Sequence, residues 1–272
     1  MTGLPQLSRF DSNSPNKNFN SQIFFGNYIH FLPSVTSTND TAMELAEKGW
    51  PEGTVVVSDT QTRGRGRAGR LWHSPKGVNL YFTVILRPGM KLKDAPLITL
   101  MAAAASVQAI RKLTAVKAAI KWPNDILVND KKLGGILTET KVRGEYIDVA
   151  VLGIGLNVNL DVSILPDELK LLATSLFCET GRQISRFWLL DKILNSLEKW
   201  YKILLSQKHS HVIIQSWKSL NITLGRQVRV ETRDKTFTGK AVDIGHTGEL
   251  IVQTDEGNVV KVVAGDVKHC RL

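Results

Sequence analysis

The stretch Ala118–Asn159, AAIKWPNDILVNDKKLGGILTETKVRGEYIDVAVLGIGLNVN, decides the fold. Apolar and β-branched runs near Ala118–Lys121, Ile126–Val128, Leu133–Lys141 and Glu145–Ile154 follow one another with no room for a helix between them. Asn129-Asp130 and Arg143-Gly144 are turn dipeptides, so successive strands pair antiparallel. This is α+β order, not the alternation of strands and helices that builds a parallel sheet.

Working outward, Ser37-Thr38-Asn39-Asp40 offers a cap for a helix through Ala42, Leu45 and Ala46 that ends at Gly49. A strand over Thr54–Asp59 and a buried strand over Asn79–Leu86 come next, then Asp94 and Pro96 open an Ala-rich helix to about Leu113. Downstream, Pro166–Leu172 and Leu176–Glu179 read as short helices. Phe187, Leu190, Ile193, Leu194, Leu197, Tyr201 and Leu204 form one stripe of a long helix, and a second helix runs through Trp217. Near Asn221 the texture changes to short alternating strands, with turns at Arg233-Asp234, Gly245–Gly248 and Glu256-Gly257. The expected organisation is a loosely ordered Asn-, Ser- and Pro-rich leader over residues 1–28, a main domain over 29–220 and a small SH3-like β-barrel over 221–272.

Composition narrows the class. In 272 residues, 43% are apolar and 22% charged, as in globular proteins. The longest apolar stretch, Ala95–Val107, is 13 residues and contains Thr99 and Ser106, too short to span a bilayer. The first residues lack the basic start and apolar core of a secretory signal, so a cytoplasmic location and no membrane partner are expected. Cys178 and Cys270 have neither metal-ligand spacing nor nearby histidines, and the close pair His209 and His211 would point to different helix faces; no metal site is expected. The net charge of +10 is local: Gln61–Lys93 holds eight basic residues and no acidic one.

That segment contains Gln61-Thr62-Arg63-Gly64-Arg65-Gly66-Arg67-Ala68-Gly69-Arg70-Leu71-Trp72. Gly64, Gly66 and Gly69 match G-x-G-x-x-G, but no helix starts there to hold a dinucleotide pyrophosphate. The following strand lacks the lysine of a protein kinase, and the chain has no His-Arg-Asp or Asp-Phe-Gly. The chemistry suits an anion, because glycines let backbone N–H groups approach and guanidiniums engage carboxylate and phosphate oxygens in pairs. The bland alternative is a solvated RGG-like segment that binds RNA, with Trp72 as a stacking platform.

Two further clusters stand out. In Lys121-Trp122-Pro123-Asn124-Asp125 followed by Lys131-Lys132-Leu133-Gly134-Gly135, a hairpin returns Lys132 towards Asn124 and Asp125, where its ammonium could face a phosphate; alone, it could equally be an exposed turn lysine. In Gly153-Ile154-Gly155-Leu156-Asn157, the strand end could present Asn157 to a nucleotide or be only a bulge and a turn.

Together, from Ser37-Thr38-Asn39 through Gly-Ile-Gly-Leu-Asn, these segments resemble biotin protein ligases over about residues 30 to 160, and the C-terminal barrel is also family-like. The resemblance implies a catalytic domain related to class II aminoacyl-tRNA synthetases, with a mixed, mainly antiparallel sheet. It implies that biotin and ATP, with Mg2+, are joined as biotinyl-5′-AMP and that biotin then passes to a lysine of a biotin carboxyl carrier protein, a subunit of acetyl-CoA carboxylase. By position it implies that Ser37, Thr38, Asn39, Gln61, Gly64, Arg65, Arg67 and Gly135 contact biotin. It also places Arg70, Trp72, Asn124 and Asn157 near the nucleotide, makes Lys132 catalytic alongside Arg67, and has Asp125 orient the incoming amine. Trp122 would help wall off the apolar rings. The bifunctional members carry an N-terminal DNA-binding domain for which this sequence has no room, so neither specific DNA binding nor repression is expected; a homodimer is allowed. A lipoate ligase would share fold and chemistry without a reason for the arginine-glycine loop, and a nucleic-acid-binding protein would leave Lys132 unexplained.

Overall fold

A computed structural model describes residues 24–206 and 210–270. The leader's residues 1–23 and His209 therefore lie outside the described residues. The leader's last residues pack: Phe25 is buried against Tyr201, and its backbone N–H donates to Glu198.

The main sheet has seven strands: β1 (Ile29–Leu32), β2 (Val55–Ser58), β3 (Leu80–Leu86), β4 (Ala119–Lys121), β5 (Asp125–Val128), β6 (Lys131–Arg143) and β7 (Tyr146–Leu156). Their order is β1-β2-β3-β7-β6-β5-β4; β1 and β2 are parallel and every other pair is antiparallel. The β5–β6 turn places Asn129 and Asp130 at positive φ, the mirror-image turn that their side chains tolerate. The expected strands and turns of Ala118–Asn159 are thus in place. The pairing of β1 with β2 had no local signal.

Strand alternation sends two sets of side chains to opposite faces. Leu80, Phe82, Val84, Leu152 and Ile154 join the large core beneath α2 (Pro96–Thr114), α5 (Arg186–Leu205) and α6 (Ser210–Leu220). On the other face, Val56, Ile85, Val149 and Val151 are covered by Ala42 and Ala46 of α1 (Thr38–Glu47). That helix is only 10 residues long and covers only part of its face. Between α1 and the β4 edge lies the cavity described below. Two short helices, α3 (Asp167–Lys170) and α4 (Leu176–Thr180), follow β7.

The C-terminal part is a five-stranded antiparallel sheet in the order β11-β10-β9-β8-β12, consistent with an SH3-like domain. Its strands are β8 (Gln227–Glu231), β9 (Thr236–Ile244), β10 (Leu250–Thr254), β11 (Val259–Val262) and β12 (Asp266–His269). Trp122 joins it to the main domain. The indole is buried, its Nε1 donates to Gly248 O at 3.1 Å, and its backbone N–H donates to Thr223 Oγ1 at 3.0 Å. Among the described residues no helix is long and apolar enough to cross a membrane.

Candidate active site

The floor of the cavity follows from the register. Gly155, Gly135, Asp125 and Lys121 are direct neighbours across β7, β6, β5 and β4, so their side-chain directions share one face. A Cβ on Gly155 would stand 2.8 Å from the Trp72 indole, and one on Gly153 would stand 2.1 Å from Asn39 Oδ1. These two glycines therefore let an aromatic ring and an amide lie directly on the sheet. The Trp72 Nε1–H is buried in the cavity wall with no acceptor among the described residues. Such a donor is costly to leave unmade and marks a place for a ligand acceptor.

At one end the side chains are neutral. Gln61 Oε1 accepts from Thr38 N at 2.9 Å and from Thr38 Oγ1 at 3.1 Å, while Gln61 Nε2 donates to Ser74 Oγ at 3.1 Å. Thr83 Oγ1 lies 2.8 Å from Thr38 Oγ1 and 2.7 Å from Asn39 Oδ1, which anchors the start of α1 to β3. The result is a preset group of donors and acceptors suited to an uncharged polar ligand.

At the other end the groups are cationic. The loop is closed by Trp72 N donating to Gly64 O and Gly66 N donating to Arg70 O. Arg65 pairs with Asp40 at 2.6 Å and Glu139 at 3.0 Å. Arg67 Nη1 lies 3.5 Å from Asn124 Oδ1 and 3.4 Å from Gly265 O, and burial lowers its pKa while Asp266 opposes the shift. Arg70 reaches Asp266 at 2.5 Å. Lys132 Nζ pairs with Asp125 at 2.7 Å and lies 5.4 Å from the Trp72 ring centre. These pairs are partly exposed, so each adds only about 0–1 kcal/mol to the fold, and all four cations remain available to a ligand.

Ser37, Thr38, Asn39, Gln61, Arg65, Arg67, Arg70, Trp72, Asn124, Asp125, Lys132 and Gly135 together line one cavity of about 130 Å³. Three expected residues, Gly64, Asn157 and Trp122, lie outside it. Gly64 acts through its carbonyl, which holds the loop shut. Asn157 is buried: it accepts from Asn79, and its Nδ2 donates to Thr174 O at 3.0 Å and contacts Lys132 O at 3.5 Å. It therefore supports the backbone at Lys132. Trp122 faces the C-terminal sheet, not this cavity, so the aromatic wall is Trp72. Leu71, Ile136, Leu137, Gly153 and Ile154 also line the cavity. Period-two counting from Gly135 and from Gly155 would have found Leu137 and Gly153, but nothing local marks Leu71.

Four cations gathered at one end of a dry bed define a class, enzymes that bring two anionic reactants together. The Biotin/lipoate A/B protein ligase family matches residues 31–157, and the biotin protein ligase C terminal domain matches residues 223–269. The chain is 40% identical over 243 residues to the bifunctional ligase/repressor BirA of Bacillus subtilis, covering 89% of this chain and 74% of that one. It is 33% identical over 245 residues to the biotin--[acetyl-CoA-carboxylase] ligase of Mycobacterium tuberculosis, covering 86% of each. A solved biotin protein ligase from Aquifex aeolicus in complex with biotin and ATP superposes with a TM-score of 0.77 at 30% identity, covering 90% of this chain and 99% of that one. The chain belongs to the biotin protein ligase family, and it is a ligase with that family's catalytic and C-terminal domains.

Proposed function

We propose that the protein attaches biotin to one lysine of a biotin carboxyl carrier protein in two steps, through biotinyl-5′-AMP. The observation that carries this reading is the polarity of this cavity: neutral donors and acceptors at one end, Trp72 over glycines in the middle, and four cations at the other end. A neutral ureido ring fits against Ser37, Thr38 and Gln61. The thioether ring and the chain of methylenes fit the dry bed, and the carboxylate reaches Arg65, Arg67 and Lys132.

In the first step a carboxylate oxygen of biotin attacks the α-phosphorus of ATP. The bond from that phosphorus to the bridging oxygen breaks, and its electron pair leaves on pyrophosphate. Lys132 and Arg67 offset the charge that grows on the α-phosphate oxygens, an effect confined to the transition state. Magnesium arrives on the triphosphate as part of the substrate; the donor set here, cations with one ion-paired Asp125, suits phosphate oxygens. In the second step the amine of the carrier lysine attacks the acyl carbon, AMP leaves, and Asp125 orients the amine and accepts its proton. Trp72 and Asn124 hold the nucleotide, and Asn157 acts from beneath by fixing Lys132.

Three of the five arginines of Gln61–Lys93, Arg65, Arg67 and Arg70, line this cavity, which supports a ligand-binding role for the loop; the reading is ligation alone, without repression, in the cytoplasm. Exchange of labelled pyrophosphate into ATP that depends on biotin tests the reaction. Exchange supported by lipoate and not by biotin would overturn it. A gel-shift assay with biotin and ATP present tests repression: retarded operator-length DNA would show that this chain also binds DNA.

A further inference from the structure

A wide cavity of about 850 Å³ lies between the β4–β5 hairpin and the C-terminal sheet, lined by Lys121, Asp130, Arg226, Lys240, Lys268 and His269 among others. Arg226 pairs with Asp130 at 2.9 Å, and Lys268 pairs with Glu231 at 2.9 Å. Lys121 and Lys240 make no ion pair among the described residues. His269 Nδ1 is 3.1 Å from Arg226 Nη1, and a guanidinium can only donate, so that nitrogen is unprotonated and the ring is neutral. Burial lowers the Lys121 pKa and pushes His269 down to about 4, with Lys121 and Arg226 adding repulsion. The cavity therefore holds more positive charge than its own groups offset.

Its position connects it to the reaction. Lys121 is the register partner of Asp125, at the end of the row that starts at Gly155 under Trp72. Lys121 also feels the charges of Asp125, Lys132, Asp266 and Arg70, in that order. Asp125, held by Lys132, stands between the two lysines, and Lys121 is the cation beyond it in this row on the side of the C-terminal sheet. The adenylation step releases one anion with more than two oxygens to share among separate cations.

We propose that this second cavity receives inorganic pyrophosphate as it leaves the reaction site, held by Lys121, Lys240 and Arg226. The proposal rests on the adenylation reading above and deepens it. Lys121 moves the leaving group away from Lys132, so the finished adenylate is no longer beside the anion that would reverse its formation. Arg226 shares its guanidinium between Asp130 and the newcomer, and Lys240 closes the outer side from an exposed position on β9.

The test is a calorimetric titration of the full chain with inorganic pyrophosphate after the first cavity has been filled with a non-hydrolysable sulfamoyl analogue of biotinyl-AMP. Binding should persist in the analogue-loaded chain, and Lys240→Gln and Lys121→Gln should each raise the Kd about tenfold, the loss of one charge-assisted contact. Lys240 is exposed, so its variant keeps the fold; the Lys121 variant is checked by its thermal midpoint. Exclusion of pyrophosphate by the analogue, or a Kd unchanged in both variants, would overturn the proposal. If the analogue itself does not bind, the adenylation reading has failed. The titration of the free chain then decides the cavity alone, supported by weaker binding in Lys240→Gln and overturned by none.

Discussion

Lys132 combines a partner with a mobile stem. Its ammonium is 2.7 Å from Asp125, which places it beside the cavity before any substrate arrives. Lys132→Ala should slow single-turnover adenylate formation by ~10² to 10³, the loss typical of one preorganised electrostatic contact, with circular dichroism unchanged. A rate near that of the parent would remove Lys132 from its role. Arg67 has a different position, between Asn124 Oδ1 and Gly265 O and more deeply buried. Arg67→Gly removes both contacts and gives the loop greater backbone freedom. Adenylate should still form but escape several-fold faster, read by chasing labelled biotinyl-AMP from the enzyme. Equal escape rates would limit Arg67 to initial binding. Most of these side chains could be read from the sequence because charged and amide groups next to glycines have few structural uses. Asn157 and Trp122 could not be placed, since nothing local distinguishes a polar group facing a ligand from one holding the backbone, or an indole facing a cavity from one facing another domain.

At the level of elements, β7 carries the largest geometric constraint. Its site face changes from Val149 and Val151 under α1 to Gly153 and Gly155 under Asn39 and Trp72. Gly155→Ala would put a methyl 2.8 Å from the indole, so Trp72 must lift. Overpacking of this kind costs about 1–3 kcal/mol, and here the ring moves into the cavity, where the cost falls on binding. Biotin affinity should fall at least tenfold while the thermal midpoint changes by a few degrees; the pair of measurements shows whether the glycine serves the site or the fold. Strands and helices were legible here because apolar periodicity and turn dipeptides are local signals. The parallel β1–β2 pair depends on a connection through α1, and its register carries no such signal.

The whole molecule is held together by contacts that no window of sequence contains. Trp122 meets Gly248, Arg67 meets Gly265 and Arg70 meets Asp266, so the small C-terminal sheet supports the arginine loop of the larger domain. The same junction sets a pH dependence. His269 titrates near 4 in the fold and near 6.5 when unfolded. Its neutral state contributes full stability above about 6.5, and that contribution is lost as pH falls from there towards 4, because the unfolded chain takes up the proton first. Urea denaturation at pH 7.5 and 4.5 should show the parent losing on the order of 1–2 kcal/mol more than His269→Gln, a value reduced for partial exposure. Identical losses would show that the fold does not depress the pKa of this ring.

The pairing of Arg65 with Asp40 and Glu139, Arg70 with Asp266, and Lys132 with Asp125 has one further result. Each of these three cations already holds a carboxylate, so an incoming anion displaces a tethered partner and finds few mobile counterions to release. Mobile salt ions then have little to compete for. ATP affinity should fall much less between 50 and 300 mM salt than three unpaired cations would require, and equilibrium binding across that range measures it. In the proposed mechanism the same displacement frees Asp125 from Lys132 once a phosphate takes its place, so the carboxylate assigned to the carrier's amine would become available only after the nucleotide has bound.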